Sequence, residues 1–443
     1  MRIALLSPKG PLYRSKGGIF RKSLRYQPLT LTTLAALAPK ELDPEFILID
    51  EGVDEIPDDL TADVVGITVI TGTAPRSYEI AAKLRARGIK VALGGPHVTL
   101  MPDEAARHAD AICVGYAEKS WPRLLRDLAG GEMRARYDQG HDFDLEEPVF
   151  PMRHLLDRRK FLTQNVFEAT RACAHDCEFC VAPAAFGRRQ FQKPVEHVVE
   201  DIRRFGARKA IFIDLNLISD RAYARSLFRA LIPLRIQWFG LSTSLIGRDP
   251  DLMALMAESG CRGLLIGFET VSEESLGDAR KRFNSPELYL SLVEQLHALG
   301  ISIQGCFVFG LDHDTPDVFD KTAKFVIDAA IDLPRFAVLT PFPGTPLHAR
   351  LAREGRILTR DWELYDGQHV VFRPARMSVD ELREGHERAW KAVYGVRAIA
   401  SRLGRSRTQL PIAVMANMGY RYYARHLSTH YTCDYPYATA RAA

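Results

Sequence analysis

The sequence predicts an α/β chain: two successive parallel-sheet units followed by a mainly helical C-terminal region. Three observations carry this. Short apolar runs rich in β-branched residues alternate with helix-period segments, first from residue 2 to about 128 and again from 166 to about 345. Most of these runs are followed by glycine, hydroxyl or acidic residues, as expected just past the C-terminal ends of parallel strands. From about Asp361 the strand signals fade and helical ones remain. The divisions are 1–133, a linker at 134–165, a second unit at 166–360 and a helical region at 361–443.

In the first unit, Arg2 to Leu6 reads as a buried strand ending at Ser7-Pro8-Lys9-Gly10. Thr30 to Leu37 reads as helix, Glu45 to Ile49 and Asp63 to Val69 as strands, and Pro75 to Arg87 as helix. Lys90 to Leu93 is a strand running into a sharp turn, Gly94-Gly95-Pro96-His97, and Ala111 to Val114 precedes a helix from about Glu118 to Leu128. This alternation predicts a doubly wound sheet that binds ligands beyond its strand C-terminal ends. Those ends carry small residues and hydroxyls, which let a large flat ligand approach the backbone. From Arg134 to Phe161 no period is sustained, yet Phe143, Val149, Phe150 and Met152 predict a linker that wraps against its neighbours.

The second unit repeats the alternation. Strands are predicted at Val166 to Thr170, Lys209 to Ile213, Gln237 to Leu241, Cys261 to Phe268, Ile301 to Phe309 and Arg335 to Thr340. Helices are predicted at Pro194 to Phe205, Arg221 to Leu231, from Asp249-Pro250 to Gly260, at Pro286 to Leu299 and at Thr315 to Ala330. Six strands with polar or glycine residues past their ends describe a partial (β/α)6 barrel with its chemistry on the C-terminal face. Further on, Ser378 and Glu381 form a capping-box pattern opening a helix to Val393.

Composition narrows the class. At 443 residues, 47% hydrophobic and 26% charged, the chain is expected to be globular, with two or three domains. The net charge of +4 is small for this length, so nucleic acid is not expected as a partner. No apolar run is long enough to span a bilayer, and Met1 leads straight into a strand without a signal-peptide pattern, so a cytoplasmic location is expected. Seven cysteines, an odd number with three clustered, point to a metal site rather than a disulfide framework.

The clustered cysteines lie in Glu168-Ala-Thr-Arg-Ala-Cys-Ala-His-Asp-Cys-Glu-Phe-Cys180, which places Cys173, Cys177 and Cys180 in a C-x3-C-x2-C pattern. Three thiolates on one loop hold a soft metal centre. Zinc with His175 as fourth ligand is one reading; an iron–sulfur cluster with one open iron is the other. The spacing, with Phe179 before the third cysteine, resembles the cluster loop of radical S-adenosylmethionine (radical SAM) enzymes. The Asp-x-Val-Gly-Ile-Thr strand, the Gly-Gly-Pro-His turn and the Asp110 to Trp121 segment resemble the cobalamin-binding domain that precedes many such modules. Two features depart from that pattern. No Asp-x-His-x-x-Gly signature is present, and the usual Gly-Glu-Gly-Glu is here Gly115-Tyr116-Ala117-Glu118.

The whole chain then resembles the group that includes cobalamin-dependent radical SAM methyltransferases, the anaerobic Mg-protoporphyrin ester cyclase and hopanoid-modifying enzymes. The resemblance implies a 4Fe-4S cluster on Cys173, Cys177 and Cys180, together with S-adenosylmethionine and cobalamin. It implies S-adenosylmethionine contacts from Phe179, Asp214, Asn216, Ser242, Thr243, Glu269, Val308 and Gly310, with Glu269 suited to accept ribose hydroxyl protons. It implies cobalamin contacts from Ser7, Thr68, Thr71, Gly94, Gly95, His97 and Gly115. Catalytic side chains beyond these are not assigned.

The expected reaction is methylation or rearrangement of an unactivated carbon in an apolar lipid-like or tetrapyrrole-like molecule, with a reductant protein such as flavodoxin or ferredoxin. The alternatives are hydrogen abstraction or cyclisation over a cobalamin domain that holds no cobalamin, and a non-catalytic cobalamin or redox sensor. A methylthiotransferase would need a second cysteine trio, and only Cys113 precedes Cys173. Between Glu387 and Asp434 there is no acidic residue, while Arg397, Arg402, Arg405, Arg407, Arg421 and Arg425 flank the apolar run Leu410 to Met418 and Tyr420, Tyr422 and Tyr423. Peripheral membrane contact at the inner face, or a basic helical cap on the barrel, accounts for that pattern.

Overall fold

The computed structural model describes residues 1–10, 26–161, 163–281 and 283–427. Cys433 and the end of the predicted C-terminal region, past Leu427, lie outside the described residues.

The first sheet has six parallel strands: β1 (Arg2–Ser7), β2 (Glu45–Asp50), β3 (Val64–Thr68), β4 (Lys90–Gly94), β5 (Ala111–Gly115) and β6 (Arg136–Gln139). Their order is β2-β1-β3-β4-β5-β6, a doubly wound arrangement that reverses direction at β1. Helices Leu29–Leu37 and Ser120–Ala129 cover one face through Leu31, Ala35, Trp121 and Leu124, while Ala74–Ala86 covers the other through Ile80, Ala81 and Leu84.

Two details depart from the sequence reading. Strand β6 lies inside the stretch read as linker. It is only four residues long and alternates exposed Arg136 and Asp138 with buried Tyr137 and Gln139, so an edge strand reads as a polar loop. The Gly-Gly-Pro-His turn also does not stay a turn: Gly94 ends β4 and Pro96 opens the short helix Pro96–Leu100.

The predicted first barrel strand is divided into β7 (Val166–Phe167) and β8 (Thr170–Arg171), the latter pairing antiparallel with β9 (Phe191–Gln192). Then follow β10 (Lys209–Phe212), β11 (Gln237–Ser242), β12 (Cys261–Glu269), β13 (Ser302–Phe309) and β14 (Arg335–Val338). β7 and β10 to β14 pair in sequence order, all parallel, as the six-stranded partial barrel expected. Phe212, Trp238, Ile266, Phe307 and Phe336 point outward into one large core beneath the helices.

The linker is tied to both units: Met152 N–H donates to Thr32 O (2.9 Å), and Arg153 pairs with Asp201 and donates to Val166 O (2.8 Å). The C-terminal region ends in helices Val379–Val393, Val396–Ser406 and Leu410–Arg425, the first opened by the Ser378–Glu381 capping box. Arg402 from the basic stretch is fully buried. Its guanidinium donates to the carbonyls of Ile331, Asp332 and Val393 and to Asn417. Before these helices, Trp362, Tyr365 and Val371 insert into the core of the N-terminal unit beside Val69 and Val98. The segment from Trp362 to Val371 therefore packs on the N-terminal unit.

Candidate active site at the facing strand ends

The C-terminal ends of the two sheets meet. Helix Pro96–Leu100, after β4, packs on helix Val181–Phe186, which follows the cysteine loop. Tyr116, after β5, packs among Phe143, Phe186 and Phe191 with ring centroids 4.6, 5.1 and 5.3 Å away. Glu118 forms a close ion pair with Arg171, which also holds Glu168 (2.9 Å), and Lys193 reaches Glu168 at 3.1 Å. Burial would raise the Glu168 carboxyl, but Arg171 and Lys193 hold it below its ordinary value. Gly115 is imposed by the sheet: at φ +84°, a Cβ there would lie 1.9 Å from Gln139 O.

All three cluster cysteines are partly exposed, on a loop fixed along its length. Glu178 N–H donates to Ala279 O (3.3 Å), Leu347 N–H donates to Glu178 O (3.2 Å), and Arg350 bridges Glu178 (2.9 Å) and Asp312 (2.6 Å). Burial pushes the Cys177 thiol up to about 11 and raises Cys180, an effect that metal ligation would reverse. His175 stacks on Phe283 at 4.0 Å, and among the described residues no three His, Cys, Asp or Glu side chains converge on a point fit for one ion. Three thiols spread along one anchored loop fit a multi-iron cluster, in which each thiolate takes a different iron.

The barrel face carries the predicted S-adenosylmethionine residues, and their surroundings differ. Asn216 Oδ1 after β10 and Thr243 Oγ1 after β11 are buried without hydrogen-bond partners, the condition of atoms suited to a ligand's polar groups. Ser242 Oγ donates to Thr243 O (3.2 Å), Phe179 packs on the barrel core, and Val308 is partly exposed on the inner side of β13. Glu269 ends β12 at a register shift with φ +66°, and its carboxylate is paired with the buried Lys281. A Cβ at Gly267 would lie 2.3 Å from Glu269 Oε1 and 2.8 Å from Lys281 Nζ, so a larger residue there would displace that pair.

Asp214 and Gly310 make hydrogen bonds within the chain. Asp214 accepts from the backbone N–H of Ala169 (3.1 Å) and Thr170, closing the turn between β7 and β8, and burial pushes its carboxyl up to about 7. Gly310 N–H donates to Asp314 (3.0 Å), and the residue is buried against Leu382 and Phe372.

On the facing unit, Ser7, Thr68, Gly94, Gly95 and Gly115 stay partly exposed at the strand ends. Thr71 and His97 instead turn inward. His97 is fully buried, with Nδ1 3.3 Å from Thr71 Oγ1 and Nε2 3.3 Å from Glu104, which also accepts from Tyr78 (3.0 Å) and Trp362 (3.0 Å). The imidazole serves the docking of the Trp362 segment, not an open pocket. Sequence reasoning missed Lys281, Ile70 and Leu215. Ile70 after β3 is 56% exposed and Leu215 after β10 is 45% exposed, each an apolar side chain just past a strand end. Their signal, one apolar residue among polar loop residues, is indistinguishable from an ordinary surface position.

Inside the barrel the lining is mixed. Leu241, Leu265, Cys306, Val308 and Ala337 alternate with the outward core residues and remain partly exposed, and Gln304 and Arg335 share the inner side of β13 and β14 with them.

Two parallel α/β units thus have facing strand ends, one of them bearing an anchored three-cysteine loop suited to a soft metal centre. Comparison with known proteins agrees. Residues 167–326 match the radical SAM superfamily, residues 28–125 the B12 binding domain, and residues 345–424 a domain of unknown function. The chain is 31% identical over 387 residues to the bacteriochlorophyllide d C-12(1)-methyltransferase of Chlorobaculum tepidum, covering 85% of this chain and 84% of that one. It is 27% identical to the hopanoid C-2 methylase of Rhodopseudomonas palustris, covering 75% and 66%.

Among solved structures, the radical SAM methyltransferase TsrM from Kitasatospora setae aligns with a TM-score of 0.63 at 19% identity, over 80% of this chain and 75% of that one. The cobalamin-dependent radical enzyme OxsB aligns with a TM-score of 0.66 at 15% identity, over 96% and 72%. The chain belongs to the cobalamin-dependent radical SAM methyltransferase family, and is an enzyme whose domains take a 4Fe-4S cluster, S-adenosylmethionine and cobalamin.

Proposed function

We propose that this enzyme transfers a methyl group to an unactivated carbon of an apolar substrate held on the inner side of the barrel. The observation that carries the reading is the meeting of the two strand-end faces, through helix Pro96–Leu100 on helix Val181–Phe186 and Glu118 with Arg171, beside barrel strands whose inner side includes Leu241, Leu265, Val308 and Ala337. When bound, the cluster with S-adenosylmethionine supplies the hydrogen-abstracting radical, and cobalamin supplies the methyl group. The chain's own work is placement. Cys173, Cys177 and Cys180 would hold the cluster, and Glu269, Asn216, Ser242, Thr243, Phe179 and Val308 the nucleoside and amino-acid ends of S-adenosylmethionine. Ser7, Thr68, Gly94, Gly95 and Gly115, with Ile70, would bed the corrinoid. Asp214 acts at one remove, fixing the turn before the cysteine loop. The aromatic and ionic seam through Tyr116 and Glu118 joins the two units.

The names of the relatives suggest the acceptor class: bacteriochlorophyllides and hopanoids are both large and apolar. The test is anaerobic turnover of the reconstituted enzyme with S-adenosylmethionine, a reductant and either bacteriochlorophyllide d or a hopanoid. A methylated product, with 5′-deoxyadenosine and S-adenosylhomocysteine both formed, supports the reading. 5′-Deoxyadenosine without S-adenosylhomocysteine sinks it and favours hydrogen abstraction with cyclisation over a scaffold domain. The inward burial of His97 and Thr71 is the observation on that side. The electron donor is taken to be a flavodoxin or ferredoxin.

Membrane contact belongs to the same reading. Helix Leu410–Arg425 exposes Leu410, Ile412, Val414, Met415 and Met418, with Arg425 beside them, and no acidic residue lies between Glu387 and Asp434. An apolar face edged by arginines suits an anionic lipid surface, where such a substrate would be met. No helix among the described residues is long and apolar enough to cross a membrane.

A further inference from the structure

Arg335 opens β14, and its side chain stays accessible on the inner side of the barrel. Strand register places it in one row with Cys306 of β13 and Gly267 of β12. Gly267 stands two strand spacings away, about 10 Å, and a Cβ on it would meet Glu269 and Lys281. Arg335 is therefore level with the candidate S-adenosylmethionine site.

A guanidinium keeps its charge, and when drawn from water it needs an anion or a full set of acceptors. The other arginines drawn into the fold have them. Arg153 pairs with Asp201, Arg171 with Glu118 and Glu168, and Arg402 donates to three carbonyls and Asn417. Arg335 differs. Burial weighs against its charge, and the titratable groups that act on it are Tyr420, Cys306, Tyr423 and Tyr26, three phenols and a thiol. Among the described residues its side chain has no carboxylate in ion-pair reach and makes no hydrogen bond. Asp366, which acts on Tyr423, is held by His369 (3.0 Å) and by the N–H of Gln368 (2.8 Å).

The phenols come from helix Leu410–Arg425 and from Tyr26. The Tyr420 hydroxyl accepts from Gln304 Nε2 (3.1 Å), the inner residue of β13 before Cys306, which leaves its proton for an acceptor. The rest of that inner side is largely apolar, through Leu241, Leu265, Val308 and Ala337. One fixed cation on such a wall suits an apolar molecule with a single anionic group, and the planar fork of a guanidinium matches a carboxylate.

We propose that Arg335 binds a carboxylate of the acceptor substrate, so that the enzyme takes a large apolar acid in preference to a neutral lipid. The inference rests on the methyl-transfer reading for what occupies the barrel.

The experiment measures equilibrium binding of two probes, bacteriochlorophyllide d, which carries one carboxylate, and its methyl ester, which carries none. Reconstituted wild type, Arg335→Met and Arg335→Lys are compared without reductant, and S-adenosylmethionine affinity is measured alongside. Wild type is expected to bind the acid about tenfold more tightly than the ester. Arg335→Met should lose that preference by weakening the acid alone, Arg335→Lys should keep part of it, and both should bind S-adenosylmethionine as wild type does. Should Arg335→Met not fold, Arg335→Gln is read in the same way.

Equal wild-type affinity for the two probes, binding of neither, or an unaltered preference in Arg335→Met overturns the proposal. A preference kept while S-adenosylmethionine affinity falls also overturns it and moves Arg335 to the cofactor. Turnover separates this inference from the reading beneath it. An acid preference that depends on Arg335, with no methylated product, supports the carboxylate site and sinks methyl transfer. A methylated hopanoid from an enzyme without that preference does the reverse.

Discussion

Glu269 and the cysteines each support a prediction that a single substitution tests. Cys173→Ala, Cys177→Ala or Cys180→Ala should each reduce reconstituted iron to background. The fold should persist by circular dichroism, because each thiol is partly exposed and its loss leaves no core cavity. Glu269→Gln should keep the iron and weaken S-adenosylmethionine binding about tenfold, the scale of one hydrogen bond to a charged group; equal affinity by calorimetry would remove Glu269 from the site. Residues were legible where chemistry fixes their spacing, as with the cysteine trio. They were not legible where a short-range contact decides. Asp214 stands at the expected strand end, but the N–H groups of Ala169 and Thr170 reach its carboxylate first. Lys281 became visible only once the bulge at Glu269 set the two side by side.

At the scale of elements, the seam between the units is the part most exposed to disruption. Arg171→Met removes the cation between Glu118 and Glu168 and should cost about 3 kcal/mol, the lower end for breaking a buried pair. A fall in the denaturant midpoint checks this; no change would mean that the carboxylates find other partners. Helix Val379–Val393 carries an acid-sensitive group. His386 is fully buried, and burial lowers its imidazole to about 4 from an ordinary 6.5. The folded state thus favours the neutral ring. Its contribution, about 3 kcal/mol, is complete above pH 6.5 and is lost as pH falls through 4. His386→Asn should flatten the pH dependence of melting across that window.

Helix Leu410–Arg425 supports a third element-scale test. Vesicles containing an anionic lipid should retain the protein on flotation at low salt, and Met415→Glu/Met418→Glu should release it; equal recovery with and without vesicles would contradict membrane contact. Element legibility followed length and burial. The six barrel strands were readable because alternation and strand-end residues agree. β6 was not, being a four-residue edge strand with arginine and aspartate facing out.

For the whole molecule, the facing of two strand-end surfaces is the structural basis of the account. Strand-helix periodicity revealed two parallel sheets, but no periodicity encodes how they face. That depends on contacts between distant residues: Tyr116 with Phe186, Glu118 with Arg171, Leu100 against Gly344, and Trp362 with Glu104. Trp362 is a clear example, a residue of the C-terminal region that joins the N-terminal core 258 positions away from its partner.

The central claim is that both faces hold cofactors at once. Anaerobic reconstitution with iron, sulfide and cobalamin, followed by quantification of all three on the same purified protein, tests it most directly. One 4Fe-4S cluster and one corrinoid per chain is the predicted result. A full cluster with no retained corrinoid, even with cobalamin in excess, would contradict it and leave the N-terminal unit as a scaffold.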